Sequence, residues 1–252
     1  MSWGKWLKPL VLFVLLVLAW EALVRVFSLP GYLLPAPTAV FDKLWTLRGR
    51  LFDHTLATLY EVFAGFVLAV VVGIVLATLI AHSKFLAEAL YPLLVISQVT
   101  PQVAVAPLLV IWFGHTDVPK ILIAFLVAFF PMVVNTSAGL LRVDPDLVDM
   151  MRGLRASRWR IFLMIRLPNA LPYIFAGMRI SITLAVIGAV VGEFVAGDKG
   201  LGYVVTTGTA NTDTALTFAA ITILATLGIV LFWIVGVLRR FVLPWAAAED
   251  AA

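Results

Sequence analysis

The sequence lacks cysteine altogether, and charged residues make up only 13% of its 252 residues. Without cysteine, the chain has no disulfides and no thiolate metal ligands. A soluble domain carries nearer a quarter of charged residues, so most apolar side chains here must face lipid rather than water. The length and the long apolar runs favour an all-α membrane protein with one domain, residues 1–252.

The usual signatures of catalysis are also missing from the sequence. There is no phosphate-binding loop of the Gly-x-x-x-x-Gly-Lys-Ser/Thr type. His54, His82 and His115 lie far apart, and no group of His, Asp and Glu has metal-ligand spacing. No Ser/His/Asp arrangement can be argued from spacing. We therefore expect a chain that is not an enzyme and that holds no metal and no cofactor of its own.

About six apolar stretches are long enough to cross a bilayer, which takes roughly 20 residues. They are residues 7–27, 58–82, 89–113, 119–141, 172–195 and 214–238. The third stretch is interrupted by Pro92, Pro101 and Pro107. Most of the 18 basic residues fall in alternate loops that share one side with both termini. Because basic loops stay in the cytoplasm, we expect a multi-pass protein of the bacterial inner membrane with both termini inside. The net charge of +4 reflects this placement rather than a nucleic-acid partner.

The exception to the apolar pattern is an arginine-rich segment between the fourth and fifth spans, residues 142–168. Asp144 can cap a helix, and Pro145 suits its first position. Ser157 can cap a second short helix over residues 158–165, which we expect Leu167–Pro168 to end.

The second helix of this segment presents Trp159 and Phe162 beside Arg158. An aromatic ridge with a basic flank suits a groove on another protein. It equally suits a membrane surface with anionic headgroups. The residues alone leave these two readings open.

Polar residues inside the apolar stretches are candidates for a solute pathway, because they are costly to place in lipid. The alternative is hydrogen bonding between helices. Glu61 and Glu193 lie near span ends, where we expect both to reach water. The pathway candidates are Gln98, Thr100, Gln102, Asn135, Ser181, Thr183 and Glu193.

Several short motifs follow one another along the chain. In the 142–168 segment they are Asp149, Met150 and Met151 and the ending Ile165–Pro168. The others are LLPAP (33–37), PLLVIWFG (107–114), LPNALPYIFAGMRI (167–180), VGEF (191–194) and GLGY (200–203). In this order they resemble the motifs of ATP-binding-cassette (ABC) importer permeases, in the branch that includes nitrate, taurine, aliphatic sulfonate and pyrimidine-precursor importers. The similarity extends from Leu33 to Leu238.

The resemblance implies a type I importer permease that carries a small organic solute, either a sulfonate-, taurine- or nitrate-like anion or a pyrimidine or vitamin precursor. It implies a homodimer in the lipid bilayer, cytoplasmic ATPase subunits that bind ATP and Mg²⁺, and an extracytoplasmic binding protein. It also makes 142–168 a coupling helix-loop-helix that docks on the ATPase. The coupling residues are Asp149, Gly153, Arg155, Ser157, Arg158, Trp159, Phe162, Leu167 and Pro168. The alternative is an ATP-independent secondary transporter or channel, which would need acids deep in the membrane.

The coupling segment departs from the family pattern: its acid is the aspartate Asp149, and the methionines Met150 and Met151 stand where the family has alanines. The glycine of the family falls at Arg155, and the nearest glycine is Gly153. A left-handed backbone at an arginine costs about 1 kcal/mol. Either the turn shifts to Gly153, or the position adopts ordinary backbone angles.

Overall fold

The structure, a computed structural model, describes residues 4–245, and within that range it contains helices and no strands. The all-α architecture predicted from the sequence is therefore confirmed. The helices are α1 (Gly4–Val26), α2 (Pro37–Thr46), α3 (Arg48–His82), α4 (Lys84–Val99), α5 (Gln102–Phe113), α6 (Asp117–Leu141), α7 (Pro145–Gly153), α8 (Arg158–Ile161), α9 (Leu167–Ala196), α10 (Leu201–Ala210) and α11 (Thr214–Val242).

Five helical stretches of the described residues are long and apolar enough to cross a membrane, and a bent pair makes a sixth. The five are Leu7–Val26, Arg48–His82, Asp117–Leu141, Arg158–Ala196 and Thr214–Val242. The bent pair is α4 with α5, whose axes differ by 93°.

The bend falls at Thr100 and Pro101, within the third apolar stretch. A proline disfavours helical angles in the residue before it, and Thr100 is extended, with φ −66° and ψ 125°. Helix α4 therefore ends at Val99 and α5 begins at Gln102 in a new direction. The third span, expected at residues 89–113 with three prolines, is thus a helix broken at Pro101.

Helix α6 is the centre of the molecule, because α3 and α9 pack closely against it through small residues. A Cβ atom added at Gly65 of α3 would lie 2.6 Å from the Cβ of Ala124. One added at Gly188 of α9 would lie 2.7 Å from the Cα of the same alanine. Small residues let membrane helices approach this closely, so α3, α6 and α9 form one tightly packed core.

Candidate functional site

The 142–168 segment contains two helix starts where its sequence predicts them, at Pro145 and Arg158. The Asp144 carboxylate accepts the N–H of Asp146 at 2.9 Å and caps α7. The Ser157 hydroxyl accepts the N–H of Arg160 at 3.3 Å and caps α8. Both predicted caps are confirmed.

The turn between α7 and α8 departs from both alternatives that the sequence left open. Gly153 is the last residue of α7, and Arg155 adopts the left-handed conformation, with φ +57°. The N–H of Arg155 donates to the carbonyl of Arg152 at 2.9 Å, and that of Ala156 donates to Met151 at 3.0 Å. These two bonds make a Schellman motif, which requires a left-handed residue at this position. Arg155 therefore takes the left-handed conformation that favours glycine.

The segment presents an exposed surface that is both aromatic and basic. Trp159 is 64% exposed, and Leu154 and Met164 are also largely exposed. The side chains of Arg155 and Arg158 are exposed beside them. Asp149 lies on the exposed side of α7 and forms an ion pair with Arg152 at 2.9 Å. Large apolar side chains flanked by cations are typical of a surface that a partner covers.

Phe162 lies behind this surface rather than on it. Its ring is buried in the core, stacks on Trp159 with centroids 5.4 Å apart, and lies 5.2 Å from the ring of His82. Arg166 donates to the backbone carbonyl of Ala81 at 3.3 Å. Both contacts attach the segment to the end of α3, and the ring of Phe162 packs behind Trp159.

The prediction that Leu167–Pro168 ends the second helix was wrong. The chain continues through a π-helical turn, Phe162–Arg166, directly into α9. The N–H of Leu167 donates to the carbonyl of Phe162, five residues earlier. A proline lacks an N–H and clashes with the carbonyl four residues before it. The wider π turn absorbs this conflict, so Pro168 occupies the first turn of α9 without a break.

Asn169 fixes the other end of the segment. Its side-chain amide donates to the carbonyls of Gly139 and Arg142, each at 3.0 Å. These carbonyls belong to the end of α6. The 142–168 segment is therefore held by α6 through Asn169 and by α3 through Arg166.

The pathway candidates fall into three groups in the structure. Gln98 and Thr100 are exposed at the bend between α4 and α5, and Thr183 is exposed on α9 with its hydroxyl bonded to Arg179. Gln102 donates to the carbonyl of Leu126, Asn135 to that of Pro131, and Ser181 to that of Ala128. The second group thus braces helix α6, while Glu193 lies elsewhere, near the far end of α9.

Glu193 belongs to a group of side chains that the sequence did not bring together. Glu61, Lys120 and Glu193 are each 1% exposed, and Thr58 is fully buried. The Nζ of Lys120 lies 2.6 Å from Oε1 of Glu61, which in turn lies against Glu193. The Thr58 hydroxyl donates to Oε1 of Glu193 at 2.6 Å. We call these four residues the buried charge cluster.

The buried charge cluster corrects the expectation that Glu61 and Glu193 reach water near the span ends. Both are buried, together with Lys120 in the first turn of α6. The reason is that α3, α6 and α9 converge where their charges can pair. Removing one partner of a buried ion pair costs about 3–5 kcal/mol. The only local signal in the sequence was Asp117, which lies one turn before Lys120 and 2.9 Å from its Nζ.

The glycine-rich loop after α9 closes over this cluster. The N–H of Gly202 donates to Glu193, the N–H of Leu201 donates to the Thr58 hydroxyl at 2.8 Å, and that of Gly200 donates to Nδ1 of His54 at 3.1 Å. Gly200 has φ +104°, a conformation that side chains rarely allow. Side chains of α3 and α9 therefore satisfy the free N–H groups at the start of α10.

Residues 69–243 match the family of binding-protein-dependent transport system inner membrane components. The chain belongs to this family. It is 39% identical over 249 residues to the riboflavin transport system permease protein of Chloroflexus aurantiacus, covering 98% of this chain and 92% of that one. It is 37% identical over 240 residues to the formylaminopyrimidine transport permease protein of Halalkalibacterium halodurans, covering 95% and 96%.

Among solved structures, the fold resembles an inward-facing structure of the MetNI methionine ABC transporter, with a TM-score of 0.68 and 18% identity. The match covers 78% of this chain and 98% of that one. The protein is therefore a multi-pass ABC importer permease subunit of the inner membrane, with the type I permease fold. This result favours the importer over the alternative of an ATP-independent secondary transporter or channel.

Proposed function

We propose that this permease passes a small organic solute between two copies of the chain, and that ATP hydrolysis on separate cytoplasmic subunits drives it. In this proposal an extracytoplasmic binding protein delivers the solute, both termini are cytoplasmic, and residues 1–252 form one transmembrane domain. The ATP and Mg²⁺ are bound by the ATPase subunits. The observation that carries the proposal is the exposed aromatic and basic surface of the 142–168 segment, in a chain of this family.

The proposed ATPase contact is centred on Trp159, flanked by Arg155 and Arg158. Exposed tryptophan and arginine side chains dominate the energetics of many protein interfaces. Phe162 supports the tryptophan from behind, as their 5.4 Å stacking distance indicates. Because Asn169 and Arg166 attach the segment to α6 and α3, a push on this surface would move both spans. Rigid-body rocking of the spans is a common route to alternating access.

The remaining coupling candidates have supporting roles in this proposal. Asp149 pairs with Arg152 on the exposed face of α7, and Ser157 caps α8. Gly153 ends α7 ahead of the left-handed turn, and Leu167 and Pro168 carry the segment into α9 through the π turn.

For the solute, we propose a neutral or weakly charged heterocycle of the pyrimidine or vitamin type rather than an inorganic anion. None of the proposed pathway residues is a cation: Gln98, Thr100, Gln102, Asn135, Ser181 and Thr183 carry amides and hydroxyls. Of these, Gln98, Thr100 and Thr183 are exposed in this chain. The riboflavin and formylaminopyrimidine permeases are also more similar to this chain than the taurine permease of Escherichia coli, at 30% identity. A thermal-shift screen of the cognate binding protein tests this choice. A shift with riboflavin or a pyrimidine supports it, and a shift with taurine or nitrate alone contradicts it.

The docking proposal is tested by Trp159→Ala and by Arg158→Glu in a permease co-expressed with its ATPase. Losing a tryptophan hot spot costs about 2 kcal/mol or more, which is roughly a 30-fold loss of affinity. We expect the ATPase to stop co-purifying and ATP-dependent uptake into vesicles to fall. Trp45→Ala is the matched control, because Trp45 is also 64% exposed but lies in α2. Equal retention of the ATPase by Trp159→Ala and Trp45→Ala would refute the docking surface.

A further inference from the structure

The side chains of the buried charge cluster are covered within this chain. Glu61, Lys120 and Glu193 are each 1% exposed, and the glycine-rich loop covers Glu193. Its members come from three spans: α3 supplies Thr58 and Glu61, α6 supplies Lys120, and α9 supplies Glu193. Because these side chains are covered and join three helices, they act by holding those helices in place.

Separating these helices would leave a buried carboxylate without one of its partners. Glu61 would lose the Lys120 ammonium at 2.6 Å if α3 moved away from α6, whereas Lys120 would keep Asp117 of its own helix at 2.9 Å. The Glu193 carboxylate would lose the Thr58 hydroxyl if α9 moved away from α3. Unpaired buried charges are strongly destabilising, so these spans are expected to move together at this end.

The bent pair α4–α5 is attached differently. Its described side chains contribute nothing to the buried charge cluster, and Gln102 provides its polar link to α6, a 3.4 Å bond to the carbonyl of Leu126. Apolar contacts provide the rest, through Ala106 and Leu109 of α5 and through Leu94 of α4. Apolar surfaces can slide past each other without exposing a charge, so this pair can shift against the other spans without breaking the buried charge cluster.

The cluster also lies at the opposite end of α6 from the 142–168 segment. Lys120 lies in the first turn of α6, and the carbonyls that hold Asn169 are at its end. The 22 residues from Lys120 to Leu141 span about 30 Å at 1.5 Å per residue. A movement received by the segment would thus reach the far end only if α3, α6 and α9 stay in register over that length.

We infer that the buried charge cluster is a positioning device for transport: it locks α3, α6, α9 and the start of α10 into one rigid body. The movement that the 142–168 segment receives then arrives at the far face as motion of the whole body, while α4–α5 shifts against it. This inference rests on the proposed function. Lys120, Glu61 and Glu193 act here through the helices they hold and not through the solute.

The test compares Lys120→Met with the double variant Lys120→Met/Glu61→Gln and with Asp117→Asn. The single variant leaves two buried carboxylates without their cation, whereas the double variant replaces the pair with neutral side chains of similar size. Asp117 touches the same Nζ at 2.9 Å, but its carboxylate is 60% exposed, so its loss is the matched control. Uptake of riboflavin and hydrolysis of ATP are measured on the same reconstituted complexes.

We expect Lys120→Met to lower uptake per ATP hydrolysed by about tenfold while hydrolysis continues. The double variant should recover most of that ratio, and Asp117→Asn should keep it. A wild-type ratio in Lys120→Met overturns the inference. Equal losses of uptake and hydrolysis in Lys120→Met, with no recovery in the double variant, also overturn it, because they indicate a role in folding alone.

A second measurement does not depend on transport. The chain has no cysteine, so spin labels can be attached at Phe52→Cys on α3 and Val118→Cys on α6, both exposed positions near the cluster. We expect one narrow intramolecular distance in the otherwise unchanged permease and a broad distribution once Lys120→Met is added. An unchanged distribution overturns the inference. If the wild-type complex shows no ATP-driven uptake while the distances behave as expected, the proposed function fails and the rigid body stands.

Discussion

Arg155→Gly should stabilise the turn between α7 and α8. Arg155 holds a left-handed backbone, with φ +57°, which the two hydrogen bonds of the Schellman motif require. This conformation costs a non-glycine residue about 1–2 kcal/mol. Glycine removes that cost but brings an entropic penalty of roughly 0.5–1 kcal/mol. The net gain is about 0.5–1 kcal/mol, which makes local opening about two- to fivefold rarer.

Hydrogen exchange at the amides of Arg155 and Ala156 measures this opening directly, because both N–H groups are bonded within the motif. We expect their exchange in the purified permease to slow about two- to fivefold in Arg155→Gly. Arg155→Asn should give an intermediate result, since asparagine tolerates the left-handed region better than arginine. Both variants remove the same charge, so a difference between them reports on the backbone.

The matched control is Arg152→Gly, the same substitution three residues earlier in the last turn of α7. That residue is helical and pairs with Asp149 at 2.9 Å. Glycine there costs about 1 kcal/mol of helix propensity, so exchange should speed up. If the amides of Arg155→Gly exchange as fast as those of the wild type or faster, Arg155 is not strained and the prediction is refuted.

Two further predictions concern the other end of the molecule. Gly200→Ala should destabilise the permease by about 3 kcal/mol or more, because φ of Gly200 is +104° and the new Cβ would overlap the carboxylate of Glu193. Thermal unfolding measures this loss. The control is Gly49→Ala, where the added Cβ meets nothing within 4 Å. Burial alone would raise the pKa of Asp213, but hydrogen bonds from Lys43, at 2.5 Å, and from the α11 backbone hold it below its usual range. The stability that this carboxylate contributes is present above its unfolded pKa of about 4 and is lost as the pH falls through its pKa in the folded protein. Asp213→Asn should therefore reduce the loss of unfolding free energy at acid pH. The same loss in the variant and the wild type contradicts the prediction.

Local features of the 142–168 segment could be predicted from sequence because each depends on a few neighbouring residues. Asp144 and Ser157 cap the helices that follow them, as expected of short polar side chains ahead of an amphipathic run. The conformation of Arg155 could not be predicted, since it reflects a compromise between the turn and the residue. The two backbone hydrogen bonds of the turn offset the cost of the left-handed conformation.

Features that depend on contacts between distant parts of the chain were not predictable. Pro101 indicates a break in the third apolar stretch, but the 93° angle between α4 and α5 cannot be read from a single proline. Glu61, Lys120 and Glu193 each looked like a charge near a span end. Nothing in a single sequence shows that residues this far apart share one buried site, because the signal is in the packing of α3, α6 and α9.

The structure also distinguishes two roles of the polar residues in the spans: hydrogen bonding between helices and contact with a solute. Asn135 and Ser181 donate to the carbonyls of Pro131 and Ala128, so their side chains are used within the α6–α9 core. Each such bond costs the pathway a donor and stiffens α6 near its proline. Gln98 and Thr100 differ, because the bend between α4 and α5 exposes them. The Thr100 hydroxyl nevertheless donates to the carbonyl of Ile96 at 2.8 Å. A solute needs accessible polar groups on a part that moves, and the bent pair is outside the body that the buried charge cluster holds. The pathway proposal therefore rests most firmly on Gln98, with α6 as the rigid wall against which the bent pair shifts.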